Sequence, residues 1–163
     1  MSLFKRSLKL YLDTSVPNFL FAEDAKEKQA LTRKLFSGSL RRDYEFYISG
    51  VVLREIEKAP LEKRRALGVA LRGLKVLEFT EEAEALAIQY LRQGALPEAS
   101  VEDARHVAVA TVHNLDAIAS WNFKHLVNLK RIKAVNLVNE QMGYKHIEIV
   151  SPEEVVSFEG FES

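Results

Sequence analysis

Residues 8–15 read LKLYLDTS, and this stretch decides the fold class. Leucines at positions 8, 10 and 12 alternate with Lys9 and Tyr11, which is the period-two pattern of a β-strand. The strand runs directly into Asp13, Thr14 and Ser15, so it ends in a cluster of side-chain oxygens. We therefore expect a first strand whose carboxyl end carries polar residues.

Similar patterns predict strands that alternate with helices along the rest of the chain. The predicted strands are 45–48, 74–79, 117–120 and 147–150. The predicted helices are 24–36, 61–71, 81–92, 100–114 and 126–142, with a terminal helical turn that begins at 151–154. A further helix is expected to start at Ser49 and to turn Val52, Leu53 and Ile56 inward. The helix at 100–114 should have one apolar face, formed by Val101, Ala104, Val107, Ala108 and Thr111. This alternation predicts one α/β domain with a central, mostly parallel sheet flanked by helices.

Composition excludes several classes of function. The 163 residues contain 23 basic and 23 acidic side chains, so no overall basic field would draw the protein onto nucleic acid. The chain has no cysteine, which excludes a disulfide framework, a thiolate nucleophile and a Cys-ligated zinc. The opening residues do not form a signal peptide and no apolar run approaches 18 residues, so we expect a cytoplasmic protein without a membrane partner.

Four oxygen-bearing side chains are expected at one edge of the sheet. Asp13 and Asn122 follow strands, while Glu55 and Asp103 lie in the first turns of helices that begin at the same edge. Asp13 could instead start an Asx turn, Asp103 could close a capping box with Ser100, and Glu55 could be an ordinary solvated residue. Several carboxylates at one edge repel each other unless a cation lies among them, and all-oxygen ligands favour Mg²⁺ or Mn²⁺ over zinc.

Other catalytic patterns are missing or weak. There is no HExxH, GxSxG, Walker loop or GxGxxG, and Ser15 stands where an aspartyl-phosphate phosphatase needs a second Asp. We interpret His106 and His113 as helix-packing residues, and Trp121 and Phe123 as core aromatics outside the site. The basic residues that could attract a polyanion, or simply form a solvated face, are Lys124, Lys130, Arg131 and Lys133.

Four blocks of sequence resemble a known family. They are LYLDTSV at 10–16, SGVVLREIEK at 49–58, EDARHVAVAT at 102–111 and IASWNFKHLVN at 118–128. In this order and spacing they resemble PIN-domain proteins of the bacterial and archaeal type that includes VapC-like toxins of toxin–antitoxin pairs. The resemblance implies a single PIN-like domain over 1–163, with a core of about 8–150 and a C-terminal extension at 151–163.

The resemblance also implies a metal-dependent ribonuclease site. It identifies Asp13, Glu55 and Asp103 as the catalytic and metal-holding acids, with Mg²⁺ or Mn²⁺ as the cofactor. Asp13 and Asp103 would be direct ligands, and Glu55 would hold or deprotonate a metal-bound water. Around them would lie Thr14, Ser15, Ser120 and Asn122. The departure from the family is Asn122, which stands where many relatives have an Asp.

Three hypotheses follow. The first is an endoribonuclease that hydrolyses RNA phosphodiester bonds, as the toxin partner of an antitoxin protein. The second is a catalytically weak PIN-fold module that binds RNA or protein, and the third is an unrelated α/β domain in which the acids are turn and cap residues. We also expect a homodimer, because one helix face cannot bury the apolar residues Phe19, Leu20, Phe21, Leu35 and Phe36.

Overall fold

The computed structural model describes residues 6–161. Its strands are β1 (Leu8–Leu12), β2 (Tyr44–Ser49), β3 (Lys75–Leu77), β4 (Ala117–Ala119) and β5 (Glu148–Val150). Its α-helices are α1 (Ser15–Asn18), α2 (Lys26–Phe36), α3 (Gly50–Ile56), α4 (Leu61–Ala70), α5 (Glu81–Arg92), α6 (Val101–Val112), α7 (Leu129–Gln141) and α8 (Pro152–Phe161). Within that range no helix is both long enough and apolar enough to cross a membrane.

The five strands form one sheet in the order β3-β2-β1-β4-β5, and every neighbouring pair is parallel. Strand β1 lies at the centre, where Leu10 pairs with Phe46 of β2 on one side and with Ala117 of β4 on the other. The predicted α/β fold with a largely parallel sheet is confirmed. Because the strands share one direction, their carboxyl ends meet at a single edge.

Apolar side chains from the central strands and α6 form the middle of the core. Tyr11, Val107 and Ile118 are fully buried in it. Helix α5 contacts α6 and α7, while α2 contacts α8, so helices flank the sheet. Val155 and Val156 of α8 are also buried, so the last helix packs into the same core.

Several helix ends follow the predicted signals. Ser49 Oγ accepts a hydrogen bond from the Val51 backbone N at 3.1 Å and caps α3. Gly143 follows α7 with φ of 85°, a left-handed conformation that glycine adopts without strain. Helix α7 begins three residues later than predicted, because Asn128 Oδ1 accepts from the Arg131 N at 3.0 Å and caps it there.

Three local predictions are wrong. Leu53 is 41% exposed instead of inward, because Val52 and Ile56 face the core four residues apart and Leu53 lies about 100° further round the helix. Val101 is likewise exposed at the first position of α6. Helix α1 and the 3₁₀ turn at Phe19–Phe21 occupy a stretch for which no helix was predicted.

The apolar residues behind the predicted homodimer are mostly covered within the chain. Leu20 and Leu35 are buried, and Phe19 and Phe36 pack partly buried against the core. Phe21, at 39% exposed, keeps a large apolar surface in solvent. The surplus of apolar surface is therefore smaller than the sequence indicated.

Candidate active site

The carboxyl edge of the sheet carries an open cavity of about 250 Å³. The structure places Asp13 directly after β1, Asp103 in the first turn of α6 and Asn122 after β4. Glu55 lies in the last turn of α3, so the prediction that it lies in the first turn of a helix is wrong. All four line the cavity, together with Thr14, Ser15, Asn18, Glu102 and His106. Side chains that are far apart in the sequence therefore share one small volume.

Asp13 is the most buried acid of the cavity, at 2% exposed. Its Oδ1 accepts hydrogen bonds from the Ser15 backbone N at 3.0 Å and from Ser15 Oγ at 2.5 Å. The first of these bonds is the Asx turn considered above, so Asp13 has that local role and also faces the cavity. Burial raises the pKa of Asp13, although His106, Ser120 and Ser15 oppose the shift.

Two serines hold the ends of β1 and β4 together beside Asp13. Ser15 Oγ accepts a hydrogen bond from the Trp121 backbone N at 2.9 Å. Ser120 is fully buried, and its Oγ accepts from the Asn122 backbone N at 3.0 Å. Ser120 thus lies behind the cavity wall, whereas Thr14 and Ser15 line the cavity itself.

Among the cavity acids, Asp103 has the pKa most clearly displaced from its ordinary value. Burial, followed by the charge of Asp13, raises its pKa to about 6, against the opposing effects of His106 and of the Asn122 hydrogen bond. Asn122 Nδ2 donates that bond to Asp103 Oδ2 at 2.9 Å. Ser100 makes no side-chain cap at α6, so the capping-box alternative is wrong. Asn122 therefore holds the Asp103 side chain in place, while burial and the charge of Asp13 destabilise its ionised form.

Glu55 is only partly exposed and is tied to two neighbours, so it is not an ordinary solvated residue. Its Oε1 accepts a hydrogen bond from Thr14 Oγ1 at 2.8 Å and lies 2.6 Å from His106 Nε2. Burial opposes its ionisation, but His106 and the Thr14 hydroxyl outweigh burial, so the pKa of Glu55 lies below its ordinary value. Glu55 is therefore an ionised carboxylate at the cavity.

His106 is the site residue that the sequence interpretation missed. It is 2% exposed, lines the cavity, and contacts Tyr11 through Nδ1, with 2.6 Å between Nδ1 and the hydroxyl oxygen. Position 106 is one helical turn after Asp103, so the two side chains share a face of α6, and that spacing was the available signal. His113 instead contacts the Glu78 carbonyl at 2.9 Å, outside the site.

The predicted cations and aromatics divide into different roles. Arg131 donates to the carbonyls of Gly94 and Ala95, at 3.4 and 3.2 Å, and so holds a loop. Trp121 is buried, as predicted, and its Nε1 donates to Thr32. Phe123 is not a core residue, because 43% of it is exposed beside Asn122. Lys28 Nζ lies 5.3 to 5.6 Å from the rings of Phe19, Trp121 and Phe123.

The donor set can be tested against a divalent cation. Among the side chains that the structure describes, residues 6–157, no three of His, Cys, Asp or Glu form a group that could hold a metal ion, so the three predicted acids do not make a ready three-ligand site. Mg²⁺ is commonly held by one or two carboxylates, with waters and substrate phosphates completing its shell. Asp13 and Asp103 meet that requirement, and burial followed by the charge of Asp13 raises the pKa of Asp103, so a cation between them would favour its ionised form.

Comparisons with known proteins identify the family and the fold. Residues 10–125 match the family model of the PIN domain. No curated protein matches the chain by sequence. Among solved structures, the chain is similar to VapBC-1 from nontypeable Haemophilus influenzae, with a TM-score of 0.58 and 14% identity over 89% of this chain and 98% of the other.

Two further solved structures are similar at the level of the fold. A VapBC2 complex from Rickettsia felis, bound to a promoter DNA fragment, has a TM-score of 0.56 and 14% identity over 88% of this chain and 98% of the other. VapC20 from Mycobacterium tuberculosis, a toxin that cleaves the sarcin–ricin loop, has a TM-score of 0.53 and 19% identity over 67% of this chain and 86% of the other. Since the family model spans most of the chain and every residue that lines the cavity, the chain belongs to the PIN-domain family.

Proposed function

We propose that the protein is a Mg²⁺- or Mn²⁺-dependent endoribonuclease that hydrolyses RNA phosphodiester bonds. The observation that carries the proposal is that the buried Asp13 and the partly buried Asp103 share one cavity with the ionised Glu55. Membership of the PIN-domain family supports it, because nucleases are typical of that family. The proposal accounts for the absence of any Cys and of the other hydrolase motifs.

Each side chain would have a distinct part in the chemistry. A divalent cation supplies an activated water and stabilises charge on the phosphate and the leaving oxygen. Asp13 and Asp103 would hold the cation, and Asn122 would fix the orientation of Asp103 through its 2.9 Å bond. Glu55 stays ionised and would accept a proton from water. Thr14 and Ser15 also line the cavity, where their hydroxyls donate to Glu55 and Asp13 and would hold those two carboxylates in place.

We further propose that this nuclease is the toxin of a toxin–antitoxin pair. The support is the similarity in fold to a toxin from M. tuberculosis and to VapBC complexes from two other bacteria. An antitoxin protein would then be the partner and RNA the substrate. The exposed Phe123 beside the cavity and the nearby Lys28 are suited to contact a polyanion with stacked bases.

Cleavage of a mixed RNA pool across a Mn²⁺ titration tests the nuclease proposal. We expect wild-type protein to cleave only with metal, and Asp13→Asn to be inactive at every metal concentration, because it removes a direct ligand. Asp116→Asn is the matched control, since Asp116 is paired with Arg6 away from the cavity. Full activity in Asp13→Asn would overturn the proposal.

One observation favours the second hypothesis, a PIN-fold module with weak catalysis. The neutral Asn122 contacts Asp103 where many relatives carry a fourth acid, so the cavity has less negative charge with which to hold metal. Binding of RNA by wild-type protein without cleavage at any Mn²⁺ concentration would support this module instead of the enzyme.

A further inference from the structure

A chain of buried hydrogen bonds runs from the core to the cavity. Ser49 Oγ lies 2.7 Å from the Tyr11 hydroxyl, which lies 2.6 Å from His106 Nδ1, and His106 Nε2 lies 2.6 Å from Glu55 Oε1. Ser49, Tyr11 and His106 are buried, whereas Glu55 is partly exposed. The chain therefore connects β1, β2 and α6 to the one cavity acid that α3 carries.

One arrangement of hydrogens satisfies every donor in this chain. A glutamate carboxylate at neutral pH can only accept, so His106 Nε2–H donates to Glu55 and Nδ1 is left as an acceptor for the Tyr11 hydroxyl. A tyrosine phenol is protonated at neutral pH, so Tyr11 has a proton to donate to Nδ1. Tyr11 then accepts from Ser49, whose Oγ also accepts from the Val51 N.

The reverse arrangement leaves a proton without an acceptor. If His106 Nδ1–H donated to Tyr11, Tyr11 would donate to Ser49, and the Ser49 hydroxyl would have to donate elsewhere. Among the described residues, Ser49 Oγ has hydrogen bonds only with Tyr11 and the Val51 N, which is itself a donor. An unpaired hydroxyl in a fully buried side chain is unfavourable, so the network fixes the Nε2–H tautomer of His106.

A second buried network in the same molecule shows that this connection to the cavity is specific. Tyr90 is as buried as Tyr11, and its hydroxyl donates to Asn139, whose Nδ2 donates to Asn136. That network ends on the backbone of Ile147, and none of these residues lines the cavity. The Tyr11 network instead ends on a carboxylate that faces the cavity.

We propose that His106 is a positioning residue for Glu55, and that Tyr11 and Ser49 hold its imidazole in the orientation and tautomer that direct the Glu55 carboxylate into the cavity. This inference rests on the proposed nuclease function. Glu55 has a long, flexible side chain, and two donors on one oxygen, from Thr14 and His106, restrict it. Its Oε2, which receives no hydrogen bond from the described residues, remains available to water.

The first test compares two Tyr→Phe variants in a steady-state RNA cleavage assay. Tyr11→Phe removes the hydroxyl that holds His106 Nδ1, and we expect kcat to fall about tenfold with KM unchanged. Tyr90→Phe is the matched control, because it also removes a buried, hydrogen-bonded phenol, and its kcat should stay at the wild-type value. An equal kcat in the two variants, once both are shown to be folded by thermal unfolding, would overturn the inference.

The second test separates the two nitrogens of His106. A glutamine amide can place a donor near the position of Nε2, whereas an asparagine amide reaches only the position of Nδ1. We therefore expect His106→Gln to retain more kcat than His106→Asn, with the Asn variant reduced about 100-fold. Equal loss in both variants would mean that the bond to Glu55 does not carry the effect.

The third test does not depend on cleavage. The ¹⁵N spectrum of the His106 ring should show the proton on Nε2 in wild-type protein, and Glu55→Ala should shift the Nε2 signal while Glu102→Ala leaves it unchanged. A proton on Nδ1 would overturn the inference. A wild-type protein that cleaves no RNA at any Mn²⁺ concentration would overturn the nuclease proposal. An active wild type whose kcat is not changed by Tyr11→Phe would overturn only the positioning role of His106.

Discussion

Replacing Asp103 with Asn should stabilise the metal-free protein at neutral pH. The pKa of Asp103 is raised from an ordinary value of 3.8 to about 6, so the fold favours its protonated form. Stability from this group is fully present below pH 3.8 and is lost as the pH rises through about 6. Two pKa units at about 1.4 kcal/mol each correspond to about 3 kcal/mol. The free energy of unfolding of the metal-free protein is therefore lower by about 3 kcal/mol at pH 7.5, where Asp103 is ionised, than it would be with Asp103 protonated.

Asp103→Asn removes that penalty and keeps an oxygen that can accept the Asn122 hydrogen bond. The free energy of unfolding at pH 7.5 should rise by up to about 3 kcal/mol, which corresponds to about 5–10 °C in Tm for a domain of this size. The gain should shrink below pH 6 and vanish near pH 4. Mn²⁺ at 100 times its Kd should add about 2.7 kcal/mol to the free energy of unfolding of the wild-type protein and so raise its Tm. The Tm of the variant should not change with Mn²⁺.

Thermal unfolding between pH 4 and 8, with and without Mn²⁺, measures all of these effects. Asp116→Asn is a control of opposite sign, because the Arg6 hydrogen bond lowers the pKa of Asp116 and its ionised form stabilises the fold. That variant should be less stable than wild type at neutral pH. A Tm for Asp103→Asn that fails to rise at pH 7.5, or that rises equally at pH 4, would refute the electrostatic reasoning.

Two other predictions concern the departure from the family and the assembly. Asn122→Asp places a carboxylate about 2.9 Å from Asp103 Oδ2, so it should lower the stability of the metal-free protein. It should also tighten Mn²⁺ binding, measured by calorimetry, and increase RNA cleavage at limiting metal. Unchanged metal dependence would place Asn122 outside the site. We also expect a homodimer by light scattering, weakened by Phe21→Ser because Phe21 keeps its apolar ring in solvent; a monomer at high concentration would contradict this.

The sequence was sufficient to predict features that depend on local patterns. The alternation of residues 8–12 predicted β1, and the polar residues after it predicted a site at its carboxyl end. Ser49 and Gly143 marked a helix start and a helix stop because capping and left-handed turns are local interactions. These features need no knowledge of which elements pack together.

Features that depend on packing were not predictable from local pattern. Leu53 and Ile56 are equally apolar, yet only the packing of α3 decides which of them is buried. His106 fits the apolar stripe of α6, and nothing local shows that Tyr11 and Glu55 approach its two nitrogens. The Asn122 to Asp103 bond likewise joins β4 to α6, so it exists only in the folded chain.

The position of β1 at the centre of the sheet has a consequence for synthesis of the protein on the ribosome. Leu10 pairs with Ala117, so β1 waits for one of its two neighbours until about 107 further residues have been made. At roughly 5–20 residues per second, that interval is on the order of 5–20 s. Such long-range parallel pairing also folds slowly after release. The acidic cavity, which needs both Asp13 and Asn122, therefore cannot exist in a nascent chain until residue 122 has been made.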